Sequence, residues 1–341
     1  MKLLIVTQVV DTDDPVLGFF HKWIERLSAQ YESVEVICLR KGKYTLPANV
    51  RVHSLGKELG RKSKITYVAT FLSLAWKLRG TYDAVFVHMN QEYVLLSGWL
   101  WALCKKPVYL WRNHYKGSLL TDMASVWCKK VFCTSKHSYT ARYKKTVLMP
   151  VGVDTDLFYE DENVKKVPRS ILFLWLMSPS KRPEPRIDAL GELEKKGAQF
   201  AATFVGSPKQ GDEMYYKSLK EKTEASSTIH FVEGMSHTEV PDVFRKHEIF
   251  VNTSPSGMLD KTIFEAAACG AVPLAVSADW RERVGDDFWY ETTPANLAQA
   301  LERVFASLAK GTFSKKELQA AVQENSLSQL CNRLNREMSL T

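Results

Sequence analysis

Short apolar runs rich in β-branched residues alternate with longer amphipathic segments along this chain. In the first half the runs fall at residues 3–7, 34–39, 84–88, 108–111 and 130–134. Most are apolar at successive positions rather than at every second one, which predicts strands covered on both faces. Their alternation with helical segments predicts parallel sheets built from β-α-β units. The second half repeats the pattern, with strands expected at 170–176, 199–205, 229–232, 249–252 and 272–276. Helices are expected between them at 187–196, 213–224, 240–245 and 260–269, and two more amphipathic helices at 296–308 and 315–338.

Between the halves the sequence turns polar at Glu160-Asp161-Glu162, which reads as an exposed connection. The expected organisation is a domain at 1–160, a linker at 161–168, a second domain at 169–320 and a last helix, 321–341, returning toward the first domain. A length of 341 residues suits two α/β domains better than one core. The fold class is therefore α/β, two doubly wound (Rossmann-like) parallel-sheet domains facing across a cleft. In such sheets ligands bind outside the carboxyl ends of the strands.

With 45% hydrophobic and 25% charged residues, the composition excludes disordered and fibrous classes. The longest apolar stretch, 93–104, is interrupted by Ser97 and Gly98 and is shorter than the roughly 20 residues that span a bilayer. The opening run meets polar residues at Gln8 and reads as a buried strand, not a leader peptide. No two of the six cysteines show C-x2-C spacing, so reduced thiols and a cytoplasmic protein are expected. A net charge of +8 favours an anionic partner. No nucleic-acid module appears, and nucleic acid is not expected among the partners. The basic stretch from Lys57 to Lys64 precedes an apolar-periodic segment at 65–78; it is either a solvated charge run or a peripheral contact with an anionic membrane.

No G-x-G-x-x-G, G-x-x-x-x-G-K-[ST] or G-x-S-x-G motif is present, which argues against dinucleotide oxidoreductases, P-loop enzymes and α/β-hydrolases. The most informative segment is 254–276. It reads as a strand end, a loop containing Ser256, Gly257, Met258, Leu259 and Asp260, a short helix and another strand. A helix that starts at such a loop presents unpaired N–H groups and the positive end of its dipole, an anion site. Lys261 and Glu265 share one face of that helix and can supply a cation to a phosphate and a carboxylate to a ribose. A capped helix with an i,i+4 ion pair is the alternative, with Asp260 acting only as its N-cap.

The stretches Gly152-Val-Asp154 with Phe158, and Glu265-Ala-Ala-Ala-Cys-Gly270 with Pro273, resemble the n-G-V-D-x-x-x-F and E-A-x-A-C-G-x-P patterns of the retaining GT-B glycosyltransferases of group 1. The resemblance covers nearly the whole chain. It implies transfer of a sugar from a nucleotide-diphosphate donor to an acceptor hydroxyl, with retention and without a metal or other cofactor. The acceptor it implies is a glycan or a lipid-linked molecule. Glu265 would hold the ribose. Lys181 matches the lysine of the family's G-R-[LI]-x-x-x-K device, but Leu176 and Trp175 stand where its arginine and glycine are usual. Arg182 or Lys261 would then supply the missing charge. Gly257 replaces the first glutamate of the family's E-x7-E pair, and Asp260 would cover part of its role. In the first half, Gly18 matches the loop glycine beside the diphosphate and His114 the histidine near the donor sugar. His88 and Asn113 would lie on the acceptor side. A sugar-nucleotide epimerase of similar two-domain build is one alternative, and the two departures also allow a nucleotide-sugar-binding subunit that has lost catalysis and supports a partner transferase.

Overall fold

The computed structural model describes residues 1–60 and 63–339. Two compact units divide the chain at Gly152/Val153 and again at Asn325/Ser326, so that the first unit takes residues from both ends of the sequence. The divisions therefore lie at 152 and 325, while residues 167 and 168, expected in a linker, already belong to a strand.

The first unit is built on β1 (Lys2–Val10), α1 (Phe19–Ser28), β2 (Ser33–Lys41), β3 (Val50–Ser54), α2 (Lys64–Lys77), β4 (Ala84–His88), α3 (Gln91–Leu103), β5 (Val108–Trp111), α4 (Leu119–Trp127), β6 (Lys130–Cys133) and β7 (Thr146–Leu148). Its seven strands are parallel in the order β3-β2-β1-β4-β5-β6-β7. Ile5 lies opposite Val36 on one side and Phe86 on the other, so β1 is central. Successive residues of β1 enter different cores. Leu3 and Ile5 pack with Phe20, Trp23 and Leu27 of α1, whereas Leu4 and Val6 pack with Phe71 of α2 and Trp101 of α3. The strands β3 and β7 were not expected; both are short edge strands with mixed burial, and their pattern is too weak to read.

The second unit contains β8 (Val167–Leu174), α5 (Glu184–Lys195), β9 (Ala201–Val205), α6 (Glu213–Lys222), β10 (Ile229–Val232), α7 (Val240–Lys246), β11 (His247–Asn252), α8 (Lys261–Ala268), β12 (Val272–Ala275), α9 (Ala278–Val284), α10 (Pro294–Ala309) and α11 (Lys316–Glu324). Its five parallel strands run β10-β9-β8-β11-β12. Pro273 is tolerated because β12 is an edge strand. The order reverses direction between β8 and β11, and this switch point opens a crevice beyond their carboxyl ends. In the first unit the same reversal lies between β1 and β4.

The expected helix at 315–338 is two helices, α11 and α12 (Leu327–Ser339), broken at Asn325 and Ser326. Asn325 folds its side-chain amide back on Ala321 O at 2.8 Å, and its own carbonyl accepts from Val153 N–H at 2.9 Å. Leu330, Leu334 and Met338 of α12 complete the core beside α1. All six cysteines are free thiols, and no helix among the described residues is long and apolar enough to cross a membrane.

Candidate functional site

The β11–α8 loop is organised by Asp260. Its carboxylate caps α8 by accepting from Thr262 N–H at 3.1 Å and from Thr262 Oγ1 at 2.9 Å. The other oxygen accepts from Asn252 Nδ2 at 3.0 Å and Ser254 Oγ at 2.5 Å. Both oxygens are engaged, and Asp260 is the N-cap of α8, the alternative that its neighbours in sequence also allowed. Gly257 takes the left-handed conformation, φ 88°, and its N–H donates to Asp279 Oδ2 at 2.9 Å. Ser256 Oγ accepts from Ala278 N–H at 2.9 Å. These two groups, expected to hold phosphate, instead tie the loop to α9. The backbone N–H groups of Leu259 and Asp260 have no acceptor among the described residues and are the donors left to an anion. The Met258 side chain is half-buried beside Leu259, whose side chain enters the core.

At the far end α8 closes with a Schellman turn: Gly270 N–H donates to Ala267 O and Ala271 N–H to Ala266 O, both at 3.0 Å. Gly270 has φ 77°, which explains the glycine of the Cys-Gly motif.

Glu265 is 2% exposed, yet its carboxylate does not face apolar core. Oε1 lies 3.3 Å from His237 Nε2 and 3.6 Å from Lys261 Nζ. His237 in turn packs edge-on against the ring of Phe158, at 5.1 Å between centroids. The Lys261 side chain is 17% exposed. Burial pulls its pKa below the ordinary lysine range, while Glu265 and Asp154 oppose that shift. The two family-like motifs thus meet: Asp154 and Phe158 support the cluster that Lys261 and Glu265 form. Glu265 Oε2 has no protein partner among the described residues, which leaves lone pairs for a diol. The sequence reading missed His237. It follows β10 closely, and the rule that a histidine beyond a strand's carboxyl end faces the crevice would have found it.

Across the switch point, β8 runs on into a loop that follows β9. Met177 N–H donates to Ser207 O at 3.0 Å, and Gly206 passes so close that a Cβ there would lie 1.8 Å from Trp175 O. Lys181 and Arg182 are exposed, and Arg182 adopts φ 48°. A non-glycine residue in the left-handed region costs of order 1 kcal/mol or more. Arg186, at the start of α5, is the cation that the sequence did not single out. It is 6% exposed, and its Nη1 donates to Arg182 O at 2.9 Å. Its guanidinium also contacts Tyr290, whose hydroxyl donates to Asn252 O at 3.3 Å. No carboxylate lies within ion-pair distance of Arg186 among the described residues. A buried, unpaired guanidinium is costly unless something anionic completes it.

In the first unit Gly18 caps α1 with ordinary helical angles. A Cβ there would meet Asp14 O at 2.6 Å and Thr12 O at 2.9 Å, so close backbone approach explains the glycine. Asn113 Oδ1 accepts from Thr134 N–H at 3.2 Å and Ser138 Oγ at 3.0 Å, joining the loops after β5 and β6. His114 Nδ1 lies 2.9 Å from Lys116 N–H and 3.2 Å from Lys116 O, so the ring is held in its loop through this one nitrogen while Nε2 has no partner among the described residues.

His88, expected on the acceptor side, is instead a core residue. It stacks on Phe20 with centroids 3.7 Å apart, and Nδ1 lies 3.3 Å from Thr7 Oγ1. Burial pushes its pKa down to about 3. Because an unfolded histidine titrates near 6.5, the unfolded state alone takes up this proton between the two values, and stability falls on acidification. From pH 7 to pH 5 His88 should remove about 2 kcal/mol from the first unit. Urea unfolding of wild type and His88→Leu at both pH values checks this; an unchanged pH slope in the variant would refute it.

Residues 154–324 match the family model described as Glycosyl transferases group 1. No curated protein sequence matches the chain significantly. Among solved structures, HepE from Anabaena in complex with UDP superposes with a TM-score of 0.79 over 100% of both chains at 16% identity. A glycosyltransferase from Rickettsia africae gives 0.73 over 99% of each chain at 15% identity. Sucrose-phosphate synthase from Thermosynechococcus elongatus gives 0.72 over 97% of each at 16% identity. The two-sheet GT-B fold is shared with these neighbours, and with half of its length matched by the family model the chain belongs to the group 1 glycosyltransferases.

Proposed function

We propose that the protein transfers a sugar from a nucleotide-diphosphate sugar to an acceptor hydroxyl, with retention and without a metal. The observation that carries this reading is the cluster of Lys261 and Glu265, in the first turns of α8 at a sheet switch point, with His237 from the segment before α7, and with Arg186 of α5 lacking a carboxylate partner among the described residues. Glu265 takes the ribose hydroxyls. Lys261, Arg186, Lys181 and the Leu259 and Asp260 N–H groups take the diphosphate, with Arg186 supplying the guanidinium that Leu176 lacks. In the reaction the bond from the anomeric carbon to the β-phosphate oxygen breaks, and the acceptor oxygen bonds to that carbon on the same face. The acceptor proton passes to the departing phosphate oxygen. Charge neutralisation by fixed cations is the main catalytic contribution. The first unit is assigned the acceptor, a glycan or lipid-linked alcohol, with the His114 ring as the group near the sugar. Six free thiols support a cytoplasmic setting.

A thermal-shift panel of UDP-, GDP- and ADP-sugars tests the reading. UDP-sugars head it because HepE has been solved with UDP-glucose. One donor at 100 times its Kd should stabilise the fold by about 2.7 kcal/mol. Arg186→Ala should weaken that donor by roughly 10- to 100-fold while leaving the free nucleoside's weak binding unchanged, as loss of a charged hydrogen-bond donor does. No shift with any sugar nucleotide would reject the function; equal shifts in wild type and variant would reject Arg186. Under the proposed metal-free chemistry, turnover should be unchanged by EDTA.

A further inference from the structure

The helix α4 is inside out. Its inward face carries Thr121, Ala124 and Ser125, and its outward face carries Leu119, Leu120, Met123, Val126 and Trp127. Exposure on that outward face runs from 43% at Trp127 to 75% at Val126. These positions form one stripe of about 120° on a helix, which a soluble surface helix reserves for its core. Trp127 also lies over Gly98 of α3, where a Cβ would come within 2.6 Å of its ring, so α3 extends the patch through exposed Trp99 and Leu103. At the carboxyl ends of the two helices the flanking charge is basic, whereas exposed Glu92 lies at the opposite end of α3. Lys105, Lys106 and Lys129 line a shallow pocket with Trp127 at the carboxyl ends of the two helices. The single acid on α4, Asp122, is already engaged by Arg142 and by Tyr139 and Tyr143.

We propose that this face seats on an anionic lipid bilayer, α4 lying in the interface and Lys105 and Lys129 against phosphate headgroups, while Lys106 Nζ donates to Tyr82 O at 2.6 Å. Protein interfaces deplete lysine around an apolar centre, whereas exposed aliphatic residues with tryptophan and a lysine rim mark interfacial helices. The basic stretch that the sequence suggested for this role is the weaker candidate. The Phe71 and Ala75 face of α2 is turned inward, one face of the half-exposed Trp76 ring is stacked by the Arg79 guanidinium, and Arg61 and Lys62 lie outside the described residues. The stripe begins at Leu119, shortly after the loop that carries His114, so seating this face would bring that loop to the lipid surface. The inference deepens the proposed function, because it favours a lipid-linked acceptor, but vesicle binding does not depend on the transfer chemistry.

Flotation with vesicles of phosphatidylcholine alone, and with phosphatidylglycerol added, tests it on the full chain. Wild type should float with the anionic vesicles, and binding should weaken as salt rises. Leu120→Glu with Val126→Glu, and separately Lys105→Glu with Lys129→Glu, should each lower binding at least about tenfold while the donor thermal shift stays intact. Absence of flotation in wild type overturns the proposal. So does a dimer in analytical ultracentrifugation that the leucine and valine substitutions split, since a second copy would then cover the face. Flotation without any donor shift supports this proposal and sinks the proposed function instead.

Discussion

Lys261→Met should lower kcat by about a thousandfold with KM changed severalfold at most, because its charge acts where the diphosphate departs. The magnitude follows from burial. At about 4 Å and an effective dielectric near 20, one charge is worth roughly 4 kcal/mol. That is of the size needed for such a loss, since each 1.36 kcal/mol is tenfold. The lysine stem is retained as methionine, which limits the packing change, and Lys261→Arg should recover part of the rate. Single-turnover kinetics beside donor binding separate the possibilities. If kcat is unchanged, or if only donor affinity falls, the ammonium serves Glu265 and not the leaving group.

Gly206→Ala should be the most damaging small substitution in the second unit, costing about 3 kcal/mol and roughly 6–12 °C in melting temperature. The new methyl would stand 1.8 Å from the carbonyl oxygen of Trp175, a backbone atom that cannot rotate away. Relief requires the end of β8 to separate from β9, which moves the loop carrying Lys181 and Arg182. Donor binding should therefore fall even where the protein remains folded. Gly191→Ala, on the same sheet's helix α5, is the control: its Cβ would meet nothing within 4 Å, and helix propensity favours alanine by about 1 kcal/mol. Calorimetry of the two variants should show shifts of opposite sign. A mild effect at Gly206 would mean that the β8 loop is free to shift.

Glu265 and Lys261 were legible together because a four-residue spacing on a helix dictates a shared face whatever surrounds it. Asp260 could be read two ways from its neighbours; only the positions of Asn252, Ser254 and Thr262 made it a cap. The histidines show the same limit. His88 ends β4 and His237 follows β10, both on the carboxyl side of a strand, yet Phe20 stacks over the first while the second reaches Glu265.

Periodicity, chain length and the motifs around Gly152 and Glu265 by themselves determined two parallel-sheet α/β units and the turns that start and stop α8, since steric and hydrogen-bonding rules for those features are local. Tertiary structure alone decided which polar groups remain available: Ser256, Gly257 and Asp260 are engaged by neighbours, while Arg186 is buried with no carboxylate at ion-pair distance among the described residues. It also turned the apolar stripe of α4 outward, which no hydrophobic pattern discloses, because a pattern shows that one face differs from the other and not which of them meets water.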